Sequence, residues 1–348
     1  MTGARGSILL YLPPMDSRLR ARLDEHARFA SEIRSFFSGR GWLEVDTPTL
    51  SPYLIPEPSI EVFRSEYIPR SGTPRPMWLI PSPELWMKRL VGRGSGNIYQ
   101  ISRSFRNGDF GSPLHNPEFR LLEWYTVGKT CSDSVRHTED LFAHLLGRGA
   151  CAGDPGRIAP PFVRMTMAEA FDRHAGIDLE ACMEAGSMRK AALGKGVEGA
   201  EDATWEQAFH LVFLSLVEPA LPREHPLVLT DYPALIPTTA RRRRGTPWSE
   251  RWELYVGGVE LANCYTEETD PGALRTLLRE EERRKAGARV PHAADHELAA
   301  AFPPGFPDCT GAALGVDRLE MVFRGESSLE GVILFPFSAI LGPQSDKG

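Results

Sequence analysis

The segment WELYVGGVELANCY carries the first chemical signal in the chain: two glutamates, Glu253 and Glu260, set either side of Gly257-Gly258. Apolar alternation flanking a Gly-Gly pair specifies a two-residue β-hairpin. With that turn Val256 pairs with Val259, Tyr255 with Glu260 and Glu253 with Ala262, so the glutamates become diagonal neighbours on one face. Facing carboxylates repel unless a cation lies between them. Mg²⁺ bearing a nucleotide's phosphates suits the place, since it takes one or two carboxylates and completes its shell with phosphate oxygens. On the hairpin alone, a solvent-facing pair of unrelated glutamates stays equally open. Asn263 has the opposite parity to Glu260 in an ideal hairpin, so a bulge must separate them if both face one site.

Two further stretches hold residues suited to anions. SRSFRNGDFGSPLHNPEFRLLEWY sets Arg106 on an expected strand, then a glycine-bearing loop with His115, then a second strand with Glu118, Glu123 and Tyr125. A guanidinium matches a phosphate or carboxylate with two parallel hydrogen bonds. Glu123 and Tyr125 share strand parity and can face the same pocket as Arg106. CTGAALGVDRLEM puts small residues ahead of a helix with Arg318 in its first turn, which favours an anion. Each has an ordinary alternative: a surface ion pair for the first, plain strand–helix packing for the second.

The elements that must position these residues follow from periodicity. Leu19, Leu23, Ala27, Ala30, Ile33, Phe36 and Phe37 predict a helix over residues 16–39. WLEVDTPTL reads as a strand closed by Pro48, and MWLIPSPELWMKRL as a strand, a turn capped at Ser82, and a helix from Pro83 or Glu84. Residues 131–226 read as a variable helical segment, with TMAEAFDRHAG and TWEQAFHLVFLSLVEPAL its clear helices. After LVLTDYP a charged linker, TTARRRRGTPWSE, leads into the hairpin. A polar helix is expected over residues 272–288, and the end reads strand–helix–strand: AALG, VDRLEMVFRG, GVILFPF. Long antiparallel strands among helices indicate an α+β fold, taken as one domain over residues 1–348.

Composition narrows the class. With 42% apolar and 25% charged residues in 348, the chain can build a sizeable core. A net charge of −6 argues against broad nucleic-acid binding. Cys131, Cys151, Cys182, Cys264 and Cys309 are scattered, with no CxxC pair, and read as reduced thiols. No stretch approaches the ~20 apolar residues of a membrane span and no signal peptide is evident, so the cytoplasm is the default expectation. The four arginines at 241–244 are open to two readings, a docking patch for an acidic partner or a solvated loop.

Taken together and in this order, the segments resemble the three signature motifs of class II aminoacyl-tRNA synthetases. The helix with WLEVDTPTL resembles the first motif, which in the family forms the dimer interface; FRN…HNPEFRLLEWY resembles the second and ALGVDRLEM the third. SPELWMKRL and WELYVGGVELANCYTE resemble the lysyl branch, over nearly the whole chain. The resemblance implies a class II catalytic domain, an antiparallel sheet flanked by helices, that uses ATP and Mg²⁺ to turn an amino-acid carboxylate into an acyl-adenylate. Arg106 would then hold the α-phosphate and Arg318 the γ-phosphate, Glu253 and Glu260 the metal. Phe119 would stack on adenine, and His115 would approach the phosphates. Ser82, Glu84, Glu123, Tyr125, Asn263 and Glu267 match positions that hold a lysine-like substrate. Gly108 stands where the family has an adenine-reading glutamate, and the adjacent Asp109 is placed to take over that role.

Only about fifteen residues precede the first helix, so the anticodon-binding OB-fold of lysyl-tRNA synthetases is not expected, nor is stable tRNA binding. The chain in this respect resembles the shortened paralogues that attach (R)-β-lysine to a lysine of elongation factor P. Ala313, where the tRNA-charging branch has glycine, would reshape the substrate pocket by one methyl. A homodimer and elongation factor P as acceptor are what this resemblance implies. The alternatives are another amino-acid-activating paralogue or an inactive regulatory subunit, against which the retained Glu253, Glu260, Arg106 and Arg318 argue.

Overall fold

A computed structural model describes residues 17–108, 111–296 and 306–341. The chain opens with α1 (Ser17–Ser38), which buries Phe29, Ile33, Phe36 and Phe37 at helical spacing. Then come β1 (Leu43–Glu44), β2 (Leu50–Ser51), β3 (Arg64–Tyr67), β4 (Arg75–Leu79), α2 (Glu84–Val91), β5 (Ile98–Phe105), β6 (Glu118–Val127) and α3 (Cys131–Gly147). The middle holds β7 (Val163–Thr166), α4 (Met167–Ala175), α5 (Ser187–Gly194) and α6 (Trp205–Val212). The last part contains β8 (Leu227–Pro233), β9 (Trp248–Val256), β10 (Val259–Thr266), α7 (Pro271–Lys285), β11 (Cys309–Gly315), α8 (Val316–Arg324) and α9 (Phe337–Leu341).

Eight strands form one sheet in the order β1-β5-β6-β11-β10-β9-β8-β7, antiparallel except for the parallel pair at each edge. Strands β2, β4 and β3 make a separate small sheet. This is the α+β arrangement that the sequence indicates. Alternation sorts the chemistry between the faces. Leu122, Trp124, Ala312, Leu314, Ala262, Cys264, Trp252 and Leu254 align in register across four strands. They share one buried core with residues of α1, α3 and α8. The opposite parity carries Glu123, Tyr125, Gly311, Ala313, Asn263, Tyr265, Glu253 and Arg251.

The helices α4 and α6 start at capping boxes, Thr166 with Glu169 and Thr204 with Gln207. Their Phe171 and Phe209, stacked 4.9 Å apart, share a core with Leu227, Leu229 and Tyr255, on the Glu253 side of the sheet. The helical segment therefore walls one end of the functional face.

Several local expectations change. In WLEVDTPTL only Leu43–Glu44 is strand, while Leu50–Ser51 joins the small sheet; Pro48, which has no N–H, falls in the gap. Ser82 caps nothing, because α2 begins at Glu84 and its cap position is Pro83. The segment read as helical between 131 and 226 also contains β7, paired with β8. GVILFPF is not a strand: it forms a short turn and the start of α9, with Leu329 and Val332 packed on Met321 of α8. In the arginine run, Arg241 pairs with Glu250 and Asp308, and Arg243 with Asp231. Two of the four cations are thus neutralised within the fold.

On the dry face, beside the buried hydroxyls of Thr126, Thr266 and Thr310, the sheet also buries a charge. Arg120 of β6 donates to Asp317 (2.7 Å) and Glu320 (2.7 Å) of α8, and Glu320 also meets His26 of α1 at 3.0 Å. Burial opposes charge on Glu320, yet His26 and Arg120 hold its carboxyl below the ordinary value. Removing one member of a buried network strands the others. Arg120→Met is expected to destabilise the protein by about 3–5 kcal/mol, read from urea unfolding; an unchanged midpoint would show that solvent already reaches these carboxylates.

Candidate active site

Three adjoining cavities lie on the charged face. The first, about 150 Å³, is lined by Arg106, His115, Phe119, Glu260, Ala313 and Arg318 among others. Arg106 follows β5, with its guanidinium 5.4 Å over the Phe119 ring and its buried Nε without a partner. Arg318, in the first turn of α8, donates through Nε to the Leu114 carbonyl (3.1 Å) and through Nη1 to the Glu260 carbonyl (2.9 Å). Its Nη2 lies 2.9 Å from His115 Nε2. Both arginines are thus aimed from fixed backbone into a cavity with an aromatic wall.

The hairpin forms with Val256 opposite Val259 and Tyr255 opposite Glu260, as its turn predicts. Leu261 is an extra residue, so Ala262 pairs with Leu254 and Asn263 with Glu253. The expected bulge is present, and the ideal pairing of Glu253 with Ala262 is corrected by it. Glu260 and Asn263 now share a face. Glu253 is nearly buried, with Oε1 2.7 Å from Arg251 Nη2 and Oε2 2.8 Å from the Tyr255 hydroxyl. Burial and the Glu253 charge push the Glu260 carboxyl up to about 7, although two-fifths of its side chain still meets solvent. Its nearest basic partner, Arg318, is 4.0 Å away. A second carboxylate held against the first fits a hard divalent cation, with Glu260 the open donor and Glu253 already engaged. Among the described residues no group of three or more His, Cys, Asp or Glu could hold an ion unaided, so phosphate or water oxygens would have to complete its shell.

The second cavity, about 50 Å³, is lined by Ser82, Glu84, Arg106, Glu123, Tyr125, Asn263 and Ala313, together with Glu57 and Gly311. Tyr125 donates to Glu123 Oε1 (3.1 Å), while Glu123 Oε2 is buried with no partner among the described residues. Beside it the buried Lys88 ammonium lies 2.8 Å from Glu267 Oε2 and also contacts Glu84 and Thr239. Burial lowers a lysine, but Glu267 and Glu84 more than reverse this and hold Lys88 charged. Glu267 Oε1 has no partner among the described residues, and burial pushes this carboxyl up to about 7. Burial and Glu84 raise Glu123 as well. Two unsatisfied carboxylate oxygens beside an arginine suit a ligand carrying both an ammonium and a carboxylate.

The third cavity, about 200 Å³, adjoins the second at Glu57, Glu84, Asn263 and Tyr265. Its outer wall includes Glu206 of α6 and Glu281 of α7, tied together by Arg284 at 2.6 and 2.7 Å.

The structure brings Arg106, His115, Phe119, Glu260 and Arg318 together around the first cavity, and Ser82, Glu84, Glu123, Tyr125, Asn263 and Ala313 around the second. Glu253 and Glu267 stand behind these walls; Asp109 lies outside the described residues. Sequence reasoning missed Lys88, Arg251, Gly311 and Glu57. Lys88 and Arg251 were open to discovery, standing at i+4 from Glu84 on a helix and at i−2 from Glu253 on a strand.

This fold and site define a class II synthetase. A family model described as tRNA synthetases class II (D, K and N) matches residues 9–339, and the chain belongs to that family. Among curated relatives, the elongation factor P (R)-β-lysine ligase of Yersinia enterocolitica is 35% identical over 326 residues, covering 91% of this chain and 95% of that protein. The ligase of the same name from Vibrio atlanticus is 33% identical over 322 residues, 91% and 95% respectively. A homolog of that ligase from Aquifex aeolicus is 34% identical over 307 residues, 88% and 97%.

Gly311 makes the second cavity possible. A Cβ there would stand 2.6 Å from Glu267 Oε1 and 2.7 Å from Tyr125 Cε1, closer than atoms approach. Overpacking of this kind costs about 1–3 kcal/mol. Gly311→Ala should lower the unfolding midpoint by that amount, whereas Ala312→Gly on the neighbouring position should not mimic it through the site; equal behaviour of Gly311→Ala and wild type would mean that the pocket walls yield freely.

Proposed function

We propose that this chain is an ATP-dependent ligase that activates (R)-β-lysine, or lysine, as an acyl-adenylate and transfers it to a lysine of elongation factor P. The observation that carries the reading is a pair of buried oxygens that no described residue partners: Glu123 Oε2, in the wall of the cavity that Arg106 also lines, and Glu267 Oε1, behind that wall at Gly311. They receive the amino acid's ammonium groups, and Arg106 meets its carboxylate and the α-phosphate. Phe119 stacks on adenine, His115 and Arg318 hold the outer phosphates, and Asp109 reads the base. Class II synthetases act on ATP with a divalent metal; here Glu260, with Glu253 behind it, holds Mg²⁺. No protein nucleophile is required. The substrate carboxylate attacks phosphorus, and the arginines stabilise the charge that develops in the transition state. The methyl of Ala313, between the first two cavities, narrows the space for the substrate's α-carbon, which supports a β-amino acid by about 1–3 kcal/mol. The activity is that printed in the names of the Yersinia and Vibrio relatives. A homodimer fits the exposed Leu43 and Tyr53 in and beside the segment resembling the first motif. Among the described residues no helix is long and apolar enough to cross a membrane, in keeping with a protein that works on a translation factor in the cytoplasm.

Amino-acid-dependent ATP–pyrophosphate exchange tests this directly. Exchange should favour (R)-β-lysine over α-lysine, and Glu260→Ala should reduce it by about 10²–10³-fold. No exchange with any amino acid would reject the reading. The pH dependence has a definite sign. Glu267 takes up a proton as the pH falls through about 7, which removes the charge the ammonium needs. The KM for the amino acid should therefore rise, approaching about tenfold per unit below that pH; a KM that is flat between pH 8 and 6 would rule out Glu267 as an ammonium partner.

A further inference from the structure

Transfer needs something that activation does not: the acceptor amine arrives as an ammonium and must lose a proton before it can attack. The first cavity is suited to the nucleotide, which leaves the third as the way in for an acceptor side chain. Its walls include Ile55, Pro56, Ile236 and Leu278, apolar surface fit for a methylene stem. Of the carboxylates lining the second and third cavities, Glu84 holds Lys88, Glu123 accepts from Tyr125, and Glu206 and Glu281 share Arg284. Glu57 lines both cavities, and no hydrogen bond or ion pair among the described residues engages its carboxylate.

We infer that Glu57 is a catalytic residue of the transfer half-reaction, taking the proton from the acceptor amine at the junction of the two cavities. The inference rests on the ligase function proposed above. The ammonium gives one proton to the Glu57 carboxylate. The freed lone pair forms the C–N bond to the acyl carbon, and the C–O bond to AMP breaks with its electrons on the phosphate oxygen. The second proton lost by nitrogen leaves with that phosphate, so amide, AMP and a protonated Glu57 result. Burial and then Glu84 raise the Glu57 carboxyl to about 7, against Arg106, Arg251 and Lys88, which lower it. Between a lysine ammonium and an ordinary glutamate the gap is about six pH units, and here it closes to about three. General-base groups work best when matched in this way.

The two half-reactions separate under Glu57→Gln. Pyrophosphate exchange, which needs no amine deprotonation, should fall far less than transfer, and its persistence also shows the variant is folded. Single-turnover transfer from preformed adenylate to full-length elongation factor P should fall by about 10²–10⁴-fold. Hydroxylamine, which is largely neutral at neutral pH and needs no deprotonation before it attacks, should trap the adenylate at a closely similar rate in both proteins. Equal transfer rates overturn the inference. So does a parallel loss of exchange, which would put Glu57 in activation, and so does slower hydroxylamine trapping, which would mean a blocked channel. Absence of exchange in the wild-type protein rejects the proposed function instead.

Discussion

Negative charge crowded onto one face of a sheet is the constraint around which this protein is organised. Glu84, Glu123, Glu253 and Glu267 are all largely withdrawn from water within a few strands of one another. Withdrawn carboxylates repel and lose hydration, so each must be partnered or pushed toward its neutral form. The protein does both. Lys88 and Arg251 are built-in cations that neutralise part of the set, and burial raises Glu123 and Glu267. What is left over is a small deficit of positive charge, and the affinity for a cationic ligand is the same thing seen from outside.

The opposite face answers a different demand. It is largely apolar, with a few buried threonines and with Arg120, whose pairs with Asp317 and Glu320 fasten β6 to α8. Since Arg318 follows Asp317 directly, the buried network also sets the angle at which α8 presents its guanidinium to the first cavity. Packing on one side and chemistry on the other are joined through a single helical turn.

The hairpin turn was readable because the Gly257-Gly258 signal between two apolar runs is strong and local, and β6 because EFRLLEWYTV is a short run rich in apolar and aromatic residues, buried on both faces. Even the bulge was legible, from the demand that Glu260 and Asn263 share a face. WLEVDTPTL and GVILFPF misled for one reason: apolar patterning shows only that a segment suits a pleated, half-buried surface, and the first pairs with β5 over Leu43–Glu44 alone while the second pairs with no strand among the described residues. Glu57 sits in a proline-rich loop with no periodicity, so nothing in its neighbours tells that it meets Glu84 and Arg106 across the cavities. The pairing of Lys88 with Glu84 was legible from their i+4 spacing, but its burial was not, since a lysine on a helix ordinarily reads as solvated.

The extra residue at Leu261 makes the hairpin's chemistry a matter of counting as much as of side chains. Delete that one leucine and the ladder becomes regular, with Ala262 still opposite Leu254 and Asn263 opposite Glu253; keep it but pair the strands without a bulge, and Asn263 and Tyr265 turn through the sheet into the apolar core. Drift within such a family is therefore asymmetric. Loss of a residue at the bulge leaves the facing of β10 intact, whereas one gained or lost beyond Asn263 turns over whatever follows it, and a comparison that tallies matching residues without aligning their parity would score a ruined site as intact.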